Sequence, residues 1–186
     1  AHKAAGREHE SHDQRGAVIA INPKTGAIIA MVSKPTFDPN LLAVHDTDAV
    51  IATYDQLLAD PSGPLFNRTL AGDLNPPGST FKLVVAAAAL ESGQYTADSE
   101  FPNPGQLTLP QSDSVITNSG GDNCSGAATV SIATALRISC NIPFAELGQA
   151  LGYRTILDQA NEFGFNESIS VPLDSTPSVY PRVLDE

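Results

Sequence analysis

Residues 75–91 read Asn75-Pro76-Pro77-Gly78-Ser79-Thr80-Phe81-Lys82-Leu83-Val84-Val85-Ala86-Ala87-Ala88-Ala89-Leu90-Glu91. Two prolines and a glycine break whatever precedes them, since proline lacks the N–H of a regular ladder and glycine accepts the backbone of a turn. From Ser79 the pattern predicts a helix to Glu91, closed near Gly93. It is apolar nearly all round, which predicts a place in the centre of the domain. Ser79 and Lys82 stand three residues apart, so both side chains fall on one face about a turn apart. Serine is a poor nucleophile until a neighbour takes its proton, and a desolvated lysine can be that neighbour. At a helix start, free N–H groups and the helix dipole also favour negative charge developing near Ser79. A serine after glycine is equally an ordinary N-cap, and this spacing alone occurs in many chains.

Upstream, Ala17-Val18-Ile19-Ala20-Ile21 and Ala27-Ile28-Ile29-Ala30-Met31-Val32 read as two strands joined by the turn Asn22-Pro23-Lys24-Thr25-Gly26. Their near-continuous apolar character predicts cover on both faces. Residues 1–15 are charged and aperiodic, a linker or tail. Asp46 or Thr47 is placed to cap a helix to about Leu58, with Val50, Ile51, Tyr54, Leu57 and Leu58 at helical spacing. Downstream, 95–128 is rich in Pro, Gly, Ser, Asn and Asp and reads as loops, with one short hairpin near Leu107 and Val115. A helix is expected from Thr129 to Ile138. A break follows at Ser139-Cys140-Asn141, then a helix to Leu151 and another from Tyr153 to Phe163, ended by Gly164. The stretch beyond, with Pro172, Pro177 and Pro181, looks irregular.

Composition narrows the function. The 186 residues carry a formal charge of -11, which argues against a nucleic-acid partner, since little is present to neutralise phosphates. Hydrophobic residues make up 41% of the chain, with seven Phe, four Tyr and no Trp, so aliphatic side chains must fill the core. No apolar run approaches the roughly 18–20 residues of a membrane span. Two cysteines and four scattered histidines do not make a four-ligand zinc site, so neither a metal nor any other cofactor is expected.

The string Pro76-Pro77-Gly78-Ser79-Thr80-Phe81-Lys82 closely resembles the serine box of penicillin-binding proteins, and other stretches match that family in order. The hairpin Gly16–Ser33 resembles its first two strands; Phe37-Asp38-Pro39-Asn40 and Asn67-Arg68 resemble its approach to the serine. Ser139-Cys140-Asn141, followed by Phe144-Ala145, resembles its Ser-x-Asn motif. The likeness covers about residues 16–165 and points to the monofunctional class B type with an actinobacterial look.

The resemblance implies an α/β (α+β) protein of the β-lactamase/transpeptidase-like fold, an antiparallel five-stranded sheet with helices on both faces. Residues 16–186 would be its N-terminal part, lacking the C-terminal strands. It implies a serine acyl-transferase that cross-links peptidoglycan stem peptides and is inhibited covalently by β-lactams. Ser79 would be the acylated nucleophile and Lys82 its proton acceptor. Ser139 would relay the proton to the leaving amine, and Asn141 would hold the substrate amide while orienting Lys82. By residue type alone, Ser139 and Asn141 would instead cap the following helix.

Lys24-Thr25-Gly26 spells the family's third motif but precedes the serine box in a turn, so it reads as structural. The catalytic Lys-Thr/Ser-Gly, and with it the second oxyanion-hole donor, is expected beyond Glu186. The remainder of the domain, as a second polypeptide, is therefore an expected partner. The family works outside the cell membrane, which implies an N-terminal anchor absent from these residues. That setting permits disulfides, and a bond between Cys124 and Cys140 is expected, two separate buried thiols being the alternative. Two other functions stay open: a serine β-lactamase, for whose deacylating base Glu162 and Glu167 are weak candidates, and a β-lactam sensor.

Overall fold

A computed structural model describes residues 15–71 and 74–181. Most of the expected tail, 1–14, and the last residues, 182–186, lie outside that description. The described residues fall into two compact units: 15–71 with Ser170–Thr176, and Leu74–Ile169 with 177–181.

In the first unit, β1 (Gly16–Ile21) and β2 (Ile28–Lys34) form the expected antiparallel hairpin, with Val18 opposite Val32 and a register shift at Ile21. Asn22 organises the turn. Its carbonyl accepts from Gly26 N at 2.9 Å and its side chain accepts from Lys24 N at 2.9 Å. Gly26 closes the turn at φ 71°, a conformation that disfavours residues with a Cβ. Lys24-Thr25-Gly26 thus has a geometric role. Helix α1 (Thr47–Ala59) is capped by Asp46, whose carboxylate accepts from the N–H groups of Asp48 and Ala49. The Asn67-Arg68 pair holds the loop that follows. Arg68 donates to the carbonyls of Ser62 at 2.8 Å and Gly63 at 3.1 Å, and its N–H bonds Ser33 Oγ at 3.0 Å.

The expected cover on this hairpin is absent among the described residues: Val18 is 66% and Ile29 70% exposed. Pro64 is the only buried residue among those described in this unit. The strands have the composition of a buried sheet without the layers that would bury them.

The second unit holds the core. A 3-10 turn, Gly78–Phe81, leads into α2 (Lys82–Glu91), which packs on α4 (Ile142–Glu162). Small side chains on α2 let the helices approach, and Val85, Ala86 and Ala89 join Ala135, Phe144, Leu147 and Ile156 in one cluster. The central position expected for α2 holds on that face only, since Leu83 and Leu90 are 54% and 46% exposed. The helix expected from Ser79 also begins later, because the first turn after Gly78 winds as a 3-10 turn.

Strands β4 (Gln106–Thr108) and β5 (Val115–Thr117) make the expected hairpin, pairing Leu107 with Ile116. A further pair, β3 (Glu100–Pro102) with β6 (Thr129–Ser131), occupies residues read as loop and helix start. Val130 is buried there opposite Phe101, and Thr129 Oγ1 donates to Glu100 at 2.7 Å. Helix α3 (Ile132–Arg137) therefore starts three residues later than expected, capped by Ser131. Helix α4 joins the two helices expected on either side of Gly152, where φ 76° and ψ 163° interrupt the winding. From 165 to 181 the chain is irregular. Tyr180 there stacks on Phe81 with ring centroids 5.6 Å apart. No helix among the described residues is long and apolar enough to cross a membrane.

Candidate active site

The four residues singled out in the sequence meet at one point in the second unit. Ser79 lies in the 3-10 turn, which Gly78 enters at φ 58°. Lys82 opens α2 one turn later, half-buried. Its Nζ lies 3.2 Å from Ser79 Oγ, 3.1 Å from Ser139 Oγ, 2.7 Å from Ser139 O and 2.7 Å from Asn141 Oδ1.

Those four contacts carry chemical information. The Ser139 carbonyl and the Asn141 carboxamide oxygen can only accept, so the two shortest contacts use two N–H groups of Lys82. An ammonium has one proton left; a neutral amine has a lone pair, and the atoms facing that position are the two serine hydroxyl oxygens. The site therefore points the lone pair of a neutral Lys82 at hydroxyls that can give up a proton. Burial pushes the Lys82 pKa below the ordinary lysine value, toward that neutral form. The Phe144 ring, with its centroid 6.0 Å from Nζ, is one of the apolar groups around it.

Ser139 reaches this position through a helix ending. Cys140 N bonds Ala135 O at 2.9 Å and Ser139 N bonds Leu136 O at 3.2 Å, the paired bonds of a Schellman motif closing α3. The residue at the left-handed position of that motif is usually glycine; here it is Ser139, at φ 61°. A side chain is kept where backbone preference would remove it.

Asn141 follows at the start of α4 but makes no side-chain cap there. Its Oδ1 accepts from Lys82, and its Nδ2 donates to Thr117 O at 2.9 Å. The helix-capping alternative for Asn141 does not occur, because both ends of its carboxamide are engaged elsewhere. Between the two motif residues, Cys140 is 1% exposed and is joined by a disulfide to Cys124, with Cα atoms 5.9 Å apart.

Two buried asparagines had no local signal in the sequence. Asn103, 1% exposed, donates to the carbonyls of Cys124 and Ala127 and accepts from Cys124 N, fixing the disulfide loop. Asn118, 4% exposed, accepts from the N–H groups of Asn141 and Ile142. The partners just named lie more than 20 residues away in sequence, which a reading of neighbours does not reach. Glu162 and Glu167 are exposed, and neither bonds Lys82. Among the described residues there is no cluster of three or more His, Cys, Asp or Glu able to hold a metal ion.

A lysine amine held between two serine hydroxyls, at the start of a half-buried helix beside a Ser-x-Asn break, is an arrangement suited to activating a serine hydroxyl. The family model described as "Penicillin binding protein transpeptidase domain" matches residues 16–180, and the chain belongs to that family. It is 39% identical over 172 residues to the peptidoglycan D,D-transpeptidase PbpA of Mycolicibacterium smegmatis, covering 92% of this chain and 35% of the relative. Among solved structures, it resembles penicillin-binding protein A from M. tuberculosis in its penicillin G acyl-enzyme complex. The TM-score is 0.85 at 35% identity, over 92% of this chain and 39% of the other. The imipenem acyl-enzyme complex of the same protein gives a TM-score of 0.84 at 37% identity, over 89% and 38% of the two chains. The fold is that of penicillin-binding transpeptidase domains. The chain spans about a third of the length of the relatives it matches.

Proposed function

We propose that these residues form the N-terminal part of a class B D,D-transpeptidase domain that cross-links peptidoglycan stem peptides and is acylated by β-lactams at Ser79. The observation that carries the reading is the convergence of Ser79 Oγ, Ser139 Oγ and Asn141 Oδ1 on Lys82 Nζ within 3.2 Å. Neutral Lys82 takes the hydroxyl proton as Ser79 Oγ attacks the carbonyl of the terminal D-Ala-D-Ala peptide bond. Ser139 passes a proton to the departing nitrogen, the C–N bond breaks, and D-alanine leaves. An amine from a second stem peptide then attacks the ester, loses a proton through the same groups, and restores Ser79. With a β-lactam the amide nitrogen stays tethered, and the ester persists. Asn141 holds the substrate amide as well as Lys82.

Support comes from the mycobacterial relatives, one named a peptidoglycan D,D-transpeptidase and one solved as acyl-enzymes with penicillin G and imipenem. On this reading the protein acts outside the cell membrane, tethered by an N-terminal anchor. The C-terminal remainder of the domain supplies three further strands beside β1 and β2, the Lys-Thr/Ser-Gly motif and the second oxyanion donor; the N–H of Ser79 is the first. The uncovered apolar hairpin is the structural reason to expect that remainder.

Labelling of the full-length protein with a fluorescent penicillin tests the assignment. Ser79→Ala abolishes covalent labelling without loss of the fold. Lys82→Ala slows it by about 10²–10⁴, the usual worth of general-base assistance. Wild-type labelling of Ser79→Ala overturns the assignment.

A further inference from the structure

The N-terminus of α4 poses a problem of supply. Helix starts leave N–H groups without intrahelical partners, and asparagine at the N-cap normally satisfies one with its own side chain. Asn141 is at that position, yet its Oδ1 is 2.7 Å from Lys82 Nζ and its Nδ2 is 2.9 Å from Thr117 O. The N–H groups of Asn141 and of the first helical residue are instead satisfied from another part of the chain. Asn118 Oδ1 accepts from Asn141 N at 2.8 Å and from Ile142 N at 3.2 Å, and Pro143 has no N–H to satisfy. Asn118 is 4% exposed, and its own Nδ2 donates to Asp122 O at 3.2 Å. The end of β5 thus grips Asn141 twice: Thr117 holds its carboxamide and Asn118 its backbone.

We propose that Asn118 is a positioning residue for the acylation site. By accepting from the backbone N–H groups of Asn141 and Ile142, it fixes the backbone from which the Asn141 side chain reaches Lys82. Without it, the N–H groups of Asn141 and Ile142 are left without that acceptor, and the backbone that aims the Asn141 carboxamide at Lys82 loses its anchor. The effect travels through Asn141, and Asn118 touches neither substrate nor Lys82. This inference rests on the proposed roles of Ser79, Lys82 and Asn141, so its test runs beside the test of those roles.

The experiment measures the second-order rate of labelling by a fluorescent penicillin, well below each variant's melting temperature, in the full-length protein. The variants are Asn118→Leu, Asn118→Asp, Asn141→Ala, the double variant Asn118→Leu/Asn141→Ala, and Ser79→Ala. Asn118→Leu is expected to slow labelling by roughly 10²-fold, the scale of a misplaced catalytic group. Asn118→Asp keeps the accepting oxygen but loses the donation to Asp122 O, and is expected to slow labelling less than Asn118→Leu does. In the Asn141→Ala background, Asn118→Leu should cost no more than about twofold further, while its melting temperature falls as before, because residues acting through one another are not additive. If Asn118→Leu does not fold, Asn118→Ser replaces it in both backgrounds, its shorter side chain falling short of the two N–H groups. A wild-type rate without the capping oxygen, or an equal loss with and without Asn141, overturns the inference. If Ser79→Ala is unlabelled in that case, the site reading stands. Persistent labelling of Ser79→Ala overturns both.

Discussion

At the scale of single residues, the site keeps side chains where the backbone would prefer none. Ser139 at φ 61° occupies a position suited to glycine, and a left-handed residue with a Cβ costs about 1 kcal/mol. Ser139→Gly is therefore expected to stabilise the fold by about that amount while slowing acylation by about 10² or more, through loss of the proposed relay hydroxyl. Thermal melts and labelling rates check the two halves, and a variant both less stable and fully active contradicts the account. On the proposed mechanism, Lys82 sets the pH dependence. Only the neutral amine can take a proton, so the rate rises with pH up to the Lys82 pKa and levels above it. Burial lowers that pKa, which moves the rising limb to lower pH. The pH profile of labelling should inflect below the ordinary lysine value of about 10.4; an inflection at or above that value contradicts a desolvated base. Ser79, Lys82, Ser139 and Asn141 were legible because their residue types recur in a recognisable string. Asn118 was not, since a buried asparagine's meaning lies in its distant partners and its neighbours Thr117 and Ser119 give no sign of them.

Among the elements, long local patterns were readable and short non-local pairings were not. The β1–β2 hairpin, α1 and both halves of α4 follow from runs of apolar residues and from punctuation by Asn22, Gly26, Asp46, Gly152 and Gly164. Strands β3 and β6 have three residues each and pair across an intervening hairpin, so neither shows a period by itself. Thr129-Val130-Ser131 looked like a helix start because it adjoins one; Ser131 is the true cap. The disulfide joins the β5–β6 loop to the Ser-x-Asn break, with 16 residues of sequence separation. A closed loop of that size contributes about 3 kcal/mol in chain-entropy terms. Reduction, or Cys124→Ser with Cys140→Ser, is expected to lower the melting temperature measurably and to slow acylation, since Cys140 sits between Ser139 and Asn141. An unchanged melting temperature on complete reduction would remove the disulfide from the stability account.

For the whole molecule, the two units differ in what they can sustain. The core of the second unit packs α2, α3 and α4 with β6. The first has a two-stranded hairpin with apolar residues in solvent, and an isolated hairpin is marginal in water. Apolar surface left uncovered forfeits about 25 cal/mol per Å², and an open apolar edge invites association between chains. Residues 1–186 expressed alone are therefore expected to aggregate or to melt without cooperativity in circular dichroism, and to label poorly with penicillin. A cooperative monomer that labels at Ser79 would show that the proposed remainder is dispensable. The most direct test of the central claim uses the full-length protein: intact mass after incubation with penicillin G, followed by proteolysis and mapping of the modified peptide. The account predicts one added penicillin per chain, carried by the peptide containing Ser79. An unchanged mass, or an adduct on a peptide that excludes Ser79, would contradict it.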